Sequence, residues 1–460
     1  MMKRRRFLQT SALATMGFCT AKTFSEQSSS QKRPNILMLM ADDLGYSDLS
    51  CFGSQNIKTP VLDQMAREGV RFTDFYAAAP NCSPSRAALL TGRIPARVGM
   101  YSYIPRQTPM HLPAAEITVA ELLKKHNYET AHIGKWHLCS DLTSGEFPTP
   151  GDQGFDYWFA TENNAQPSHH NPTNFVRNGK KVGEMKGYSC QIVAEEAIQW
   201  LNNHHSAAQP FFLNLWFHEP HRKVAAPPEL LEKHPNRDDA AYLACVENMD
   251  RAIGHILREL EAKGLLENTF VMFTSDNGSY HKGSNGGFRG AKSWVWEGGI
   301  RTPTLMRWPG HIKAGTVSHT PASLLDVLPT LCGIAQVEPP QDRPLDGVNL
   351  TPIFKQKQIE RKQPLFWYFY RTDPACAMRE GKWSLIGYLD EKVPPGHSIR
   401  KEHMDYIQRS KLNRFALYDL EADPNQSTDV SKKYPTRFEA MKKTMNALHA
   451  EVIEDGVTWF

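Results

Sequence analysis

The chain has 460 residues, 40% of them hydrophobic and 22% charged, with a formal net charge of +4. This is globular composition, long enough for a large core and a smaller second unit, and it excludes a disordered or fibrous chain. The small net charge excludes a global basic attraction to nucleic acid or to an anionic membrane.

The first basic residues are clustered at Lys3-Arg4-Arg5-Arg6, before a weakly apolar run over 7–18 and the small residues Cys19-Thr20-Ala21. A basic start, an apolar middle and a small-residue end predict an export signal over 1–21. The stretch RRRFLQT is similar to a twin-arginine signal. Removing the segment takes away four basic residues and no acidic ones, so the net charge falls to 0. No apolar run is long enough to predict a membrane span. The expected location is the periplasm or the cell exterior, reached through export machinery. Any anion the protein handles must then be gripped locally.

NILMLMADD, residues 35–43, reads as a buried strand ending in Asp42 and Asp43. Thr59-Pro60 offers an N-cap and a first-turn proline for a helix that Gly69 closes. NCSPSRAALLTGR, residues 81–93, places Cys82 at a helix entry. Thr118 and Glu121 form a capping box. YETAHIGKWH, residues 128–137, is a strand ending in Lys135 and His137. PFFLNLWFHEPH, residues 210–221, ends in His218 and His221. Residues 247–264 repeat apolar side chains at helical spacing and stop at Gly264. TFVMFTSDNG, residues 269–278, ends in Asp276 and Asn277.

Alternating strands and helices imply an α/β fold: a large, mostly parallel sheet sandwiched by helices. Beyond about 340 the pattern shortens into strands joined by turns, followed by a helix over 436–453. This predicts a main α/β domain over 33–355 and a C-terminal α+β subdomain over 361–460, with a short antiparallel sheet plus a helix. Ligands of such sheets bind beyond the carboxyl ends of the strands, so one site built from four distant segments is expected.

Asp42, Asp43, Asp276 and Asn277 are hard oxygen donors without Cys or His beside them, which suits calcium or magnesium rather than zinc. Lys135, His137, His221 and Lys292 are cations or proton carriers that could hold a tetrahedral anion. A thiol at a helix entry is expected to have a lowered pKa and to be nucleophilic. The chain has eight cysteines and no CxxC pair; some could pair after export, and the others read as small buried residues.

Cys82-Ser83-Pro84-Ser85-Arg86 with LLTGR resembles the C-x-P-x-R motif of the type I sulfatases, in the alkaline phosphatase superfamily. RPNILMLMADDLGY, HIGKWHL, FHEPH, FTSDNG, GAKSWVWEGGIRTP and LYDLEADP resemble further segments of that family, in order. The resemblance implies that a maturation enzyme converts Cys82 to formylglycine, whose hydrate attacks sulfur and gives a sulfo-enzyme intermediate. It implies that Asp42, Asp43, Asp276 and Asn277 bind calcium together with the converted Cys82. It implies that Arg86 stabilises that side chain and that Lys135, His137, His221 and Lys292 surround the sulfate. His221, with Lys292 as the alternative, is the expected donor to the leaving oxygen, and His137 the expected acceptor from the second hydroxyl. His218, Glu219 and Arg222 are candidates for the substrate wall.

The expected substrate is a sulfated carbohydrate, of galactose or N-acetylgalactosamine type. The polar stretch 161–179, rich in Asn and His, is a candidate sugar-pocket lining. A phosphate or phosphonate ester hydrolase on the same scaffold is the alternative, and a noncatalytic binder of sulfated glycans the third reading. The oxygen-only metal set and the intact motif residues favour the sulfatase.

Overall fold

The computed structural model describes residues 33–206, 208–396 and 399–460. The expected export signal lies outside the described residues. Arg33–Phe460 form one compact unit.

Its centre is a ten-stranded sheet. Across it run Thr316–Ser318, Val70–Phe72, Thr304–Arg307, Thr269–Ser275, Asn35–Asp42, Phe211–Pro220, Glu129–Lys135, Tyr157–Thr161, Phe175–Arg177 and Lys180–Gly183. The five strands from Thr269–Ser275 to Tyr157–Thr161 are mutually parallel, and antiparallel pairings flank them on both sides. The sheet is therefore mixed, with the expected parallel arrangement at its core.

Asn35–Asp42 shows why the strands lie between two layers. All its residues are buried. Ile36, Met38 and Met40 share one apolar cluster with Leu89, Leu123 and Leu328. Leu37, Leu39 and Ala41 share the opposite cluster with Leu62, Val193 and Ile253. Alternate side chains point to opposite faces of a strand, so each face needs its own helical cover.

The helices begin and end for local reasons. Pro60–Glu68 starts on its proline and is followed by Gly69. Thr59 precedes it without capping it, because its side chain joins Ser50 and Asp63 instead. Val119–Lys125 has the expected capping box: Glu121 N donates to Thr118 Oγ1 at 3.2 Å, and Thr118 N donates to Glu121 Oε2 at 2.8 Å. The long helix Ala240–Ala262 starts before the periodic stretch at 247.

Leu365–Phe369, Ala375–Glu380, Trp383–Leu389 and Leu412–Asp419 form an antiparallel sheet in chain order. Helix Pro435–Glu454 packs on it through Met441 and Met445. A further helix, Lys401–Arg409, was not apparent in the sequence, where apolar residues are sparse among charges. Trp367 Nε1 donates to the Ala77 carbonyl at 2.7 Å, and Arg379 Nη2 pairs with Asp74 at 2.6 Å. These contacts tie the small sheet to the large one beside the helix that carries Cys82. No helix among the described residues is long and apolar enough to cross a membrane.

Candidate active site

The carboxyl ends of four neighbouring parallel strands, Thr269–Ser275, Asn35–Asp42, Phe211–Pro220 and Glu129–Lys135, build the floor. Ala41 pairs in register with Ser275, so Asp42-Asp43 and Asp276-Asn277 leave the sheet side by side. Asp43 N donates to Asp276 Oδ1 at 3.1 Å, and Asn277 Nδ2 donates to Asp43 Oδ1 at 2.8 Å. Asp43 has φ +65°, the left-handed region, which turns the chain sharply after the strand. Gly278 must be glycine here, because a Cβ would lie 1.9 Å from the Gly298 carbonyl oxygen.

One oxygen from each of Asp42, Asp43 and Asp276 lies within 4.8 Å of the others. Asp42 Oδ1 and Asn277 Oδ1 are buried without a hydrogen-bond partner among the described residues. Orphaned buried acceptors are rare. Here they sit in a set of hard oxygens that fits a divalent cation such as calcium or magnesium. Burial and then Asp42 push the Asp276 carboxyl up to about 7. Burial also opposes ionisation of Asp42, but Lys135, His221 and Arg86 hold its carboxyl well below the usual range.

Cys82 is the first residue of helix Cys82–Thr91, behind the extended cap residue Asn81. Arg86 stands one turn later, on the same face. Its Nη2 donates to Asp276 Oδ2 at 2.7 Å and lies 3.7 Å from Asp42 Oδ1. Its Nη1 donates to the Lys135 carbonyl at 3.2 Å, and its guanidinium lies 5.0 Å from the Trp216 ring centre. The expected low thiol pKa does not hold. Cys82 is 3% exposed, and its burial, with Asp42 and Asp276 nearby, pushes the thiol up despite Lys135 and Lys292. Desolvation outweighs the helix terminus.

Lys135 ends strand Glu129–Lys135, and its Nζ donates to Asp42 Oδ2 at 2.6 Å. Lys292 Nζ lies 2.7 Å from Asp43 Oδ1. Burial weakens the Lys292 ammonium, but Asp43, Cys82, Asp42 and Asp276 together outweigh it and raise the pKa overall. His137 also has positive φ, +56°. Its Nε2 meets the Ile104 carbonyl at 2.9 Å, and its Nδ1 is buried without a partner among the described residues. A carbonyl only accepts, so Nε2 carries the proton and Nδ1 a free lone pair. Burial, then Lys135, holds the ring pKa well below 6.5. His221 donates from Nδ1 to the Arg222 carbonyl at 2.8 Å and turns Nε2 to within 3.4 Å of Asp43 Oδ2. Burial lowers His221 to about 4, against the pull of Asp43.

A cavity of about 600 Å³ opens on Cys82, His137, His221, Arg222 and Lys292. Arg222 Nη2 donates to the Tyr280 hydroxyl at 3.0 Å and packs over its ring. His218 and Glu219 do not line this cavity; they are buried behind it. His218 Nε2 pairs with Thr161 Oγ1 at 2.7 Å. Glu219 accepts from the Ser189 hydroxyl, from Cys190 N at 2.9 Å and from His218 N at 3.1 Å. Both brace the strand end, and neither lines this cavity.

The cavity also takes Ser102 and Tyr103 from the loop before Ile104, and Tyr280 from the loop after Asn277. Phe369, Arg371 and Thr372 reach it from the first strand of the small sheet and the turn beyond. No sequence motif marked these. Asn163 and Asn164 also line it, and they lie in the polar stretch singled out above. The seven described cysteines are free.

The parallel core of the sheet sets a buried oxygen cluster, with Lys135 and Arg86, beside a cavity lined by Cys82, Lys292 and Arg222, and this arrangement defines a hydrolase of anionic esters. The Sulfatase family model matches residues 34–337, and that of the N-sulphoglucosamine sulphohydrolase C-terminal region matches 286–454. N-acetylgalactosamine-6-sulfatase of Rattus norvegicus is 37% identical over 444 residues, covering 88% of this chain and 82% of its own. Arylsulfatase A of Homo sapiens is 32% identical over 458 residues, covering 89% and 86%. The crystal structure of Ps i-CgsB superposes with a TM-score of 0.82 at 28% identity, covering 93% of this chain and 95% of that one. The chain belongs to the sulfatase family, in the alkaline phosphatase superfamily, and is a sulfuric ester hydrolase.

Proposed function

We propose that this protein is an exported sulfatase that removes sulfate from galactose- or N-acetylgalactosamine-type carbohydrates, using formylglycine formed at Cys82. In this reading a maturation enzyme makes the conversion, and the working location is the periplasm or beyond. The 37% identical relative named N-acetylgalactosamine-6-sulfatase supports the sugar class, as does the 28% identical structure of Ps i-CgsB in complex with a neocarrahexaose. The observation that carries the mechanism is the wall shared by Cys82, His137 and Lys292, with His137 Nδ1 buried and without a hydrogen-bond partner among the described residues.

Asp42, Asp43, Asp276 and Asn277 would hold calcium, or magnesium in its place, which would supply positive charge beside the sulfate oxygens. Formylglycine, as its hydrate, would supply two hydroxyls on one carbon, one to attack sulfur and one to be deprotonated as sulfate leaves. Arg86 holds Asp276 and Asp42 in place from the same helical face as Cys82. Lys135 and Lys292 add positive charge where the sulfuryl oxygens gather. His137 Nδ1, unprotonated near neutral pH, takes the proton of the second hydroxyl. His221 carries a proton on Nε2 to the leaving oxygen, once the negative sulfate beside it raises its proton affinity.

The test is a mass spectrum of tryptic peptide 72–86 from protein made with a maturation enzyme, paired with turnover of sulfated galactose and N-acetylgalactosamine. An aldehyde at Cys82 and release of sulfate from these sugars are expected. An intact thiol in fully active enzyme overturns the mechanism, and activity confined to glucosamine sulfates overturns the sugar class. Sequencing the amino terminus of protein recovered outside the cytoplasm tests export, and the expected start is Lys22.

A further inference from the structure

The Asn163–Asn164 wall of the sulfate cavity is shared with a neighbouring cavity. The same two residues line a second cavity of about 180 Å³, together with Arg106, Glu162, Gln166 and Asn174. Arg106 and Glu162 in turn line a third, of about 710 Å³, which reaches Asp141, Glu146 and Phe147. Three cavities thus follow one another, each sharing two residues with the next.

The chemistry changes along this row. The sulfate cavity gathers Lys292, Arg222 and two histidines. The second is lined by four side-chain amides, Asn163, Asn164, Gln166 and Asn174, with Arg106 and Glu162 as one charge of each sign. An amide both donates and accepts, as sugar hydroxyls do, so such walls suit an uncharged saccharide ring. Asn163 Oδ1 is buried without a hydrogen-bond partner among the described residues, at the junction of the first two cavities.

The amide wall is braced. Asn174 Nδ2 donates to the Asn164 carbonyl at 2.9 Å, and Gln166 N donates to Asn174 Oδ1 at 2.8 Å. Thr161 Oγ1 donates to the Asn163 carbonyl at 2.5 Å. A wall fixed before binding loses little entropy when it engages a ligand. The third cavity carries three carboxylates, Asp141, Glu146 and Glu162, against the single guanidinium of Arg106. A sulfate or uronate placed there meets net like charge.

Building on the carbohydrate reading above, we propose that the amide cavity is a second sugar subsite for an uncharged unit next to the sulfated one. The substrate is then an oligosaccharide chain rather than a single sulfated sugar, and its next unit in this direction lacks sulfate and carboxylate. The sulfate cavity selects the ester, and the amide and carboxylate walls select its neighbour.

Three substrates with the same sulfated unit test this: the monosaccharide, a tetrasaccharide with neutral neighbours, and a tetrasaccharide whose neighbours are sulfated. The neutral chain should exceed the monosaccharide in kcat/KM at least tenfold, and the sulfated chain should fall below the neutral one. Gln166→Ala should reduce the ratio of neutral chain to monosaccharide by several fold. Glu162→Gln should narrow the gap between the neutral and sulfated chains, a readout that loss of folding would not produce. Equal kcat/KM for monosaccharide and neutral chain overturns the subsite and leaves the carbohydrate reading standing. A preference for the sulfated chain overturns the charge selection. Turnover of an aryl sulfate with inactivity on all three sugars overturns the carbohydrate reading and this proposal together.

Discussion

The His218 side chain is tied to the wall of the substrate cavity through Thr161. The Thr161 hydroxyl has one hydrogen, donated to the Asn163 carbonyl, so His218 Nε2 must be the donor in their 2.7 Å contact. A buried neutral imidazole thereby fixes a loop that forms part of the cavity. Thr161→Val removes the link while keeping the shape of the side chain. KM should rise about three- to tenfold, as for the loss of one hydrogen bond, with kcat changed less. Steady-state kinetics would check this, and an unchanged KM with lowered thermal stability would make the link purely structural.

Cys82→Ala and Cys82→Ser should both lower kcat by at least about a thousandfold, as expected when a reacting group is removed. Serine has an oxygen but no second hydroxyl on the same carbon. Both side chains fit a site now filled by a small buried thiol, so circular dichroism and the melting temperature should stay near wild type. Retained turnover by the serine variant would point to simple nucleophilic attack.

Calcium should raise the melting temperature, and a chelator should reverse the rise. Saturation at 100 times the dissociation constant corresponds to about 3 kcal/mol. Asp276→Asn keeps an oxygen acceptor for Arg86 but removes a charge from the cluster. The calcium-dependent shift should shrink or vanish in this variant. Differential scanning calorimetry with and without calcium measures it, and an undiminished shift would remove Asp276 from the cation set.

Stability should fall with pH below about 6.5 for a reason remote from catalysis. His449, on helix Pro435–Glu454 against the Tyr368 ring, is lowered by burial from 6.5 to about 4. The unfolded chain therefore binds the proton first. The loss begins as pH falls through 6.5, grows towards about 4, and amounts to about 3 kcal/mol from this ring alone. His449→Phe should flatten the decline between pH 7 and 5 in urea titrations. An identical pH dependence in the variant would exclude the residue.

Much of the floor of the site was legible because polar residues closing buried strands have one direction to face. Asp42, Lys135 and Asp276 needed no tertiary information beyond the parallel order of the strands. His218 and His221 were harder to separate. Strand Phe211–Pro220 is buried on both faces, so alternation does not distinguish the cavity side from the packing side. The acidity of Cys82 was misjudged because a helix terminus is visible in sequence and the depth of burial is not. Phe369, Arg371 and Thr372 arrive from a separate sheet, whose docking depends on contacts such as Trp367 with Ala77.

The contact between Asp43 and Asn277 joins residues 234 apart in sequence. Between Asp43 and Lys292 the separation is 249. During synthesis the amino-terminal carboxylates therefore emerge long before their partners. A fragment that ends before Asp276 lacks part of the oxygen cluster, however well its first strands have formed. Such distant pairings also close slowly, because the chain must lose loop entropy before they reward it. Activity should therefore appear abruptly and late in refolding, together with the docking of Thr269–Ser275 beside Asn35–Asp42, so that the nascent enzyme is silent until its central strands are in place.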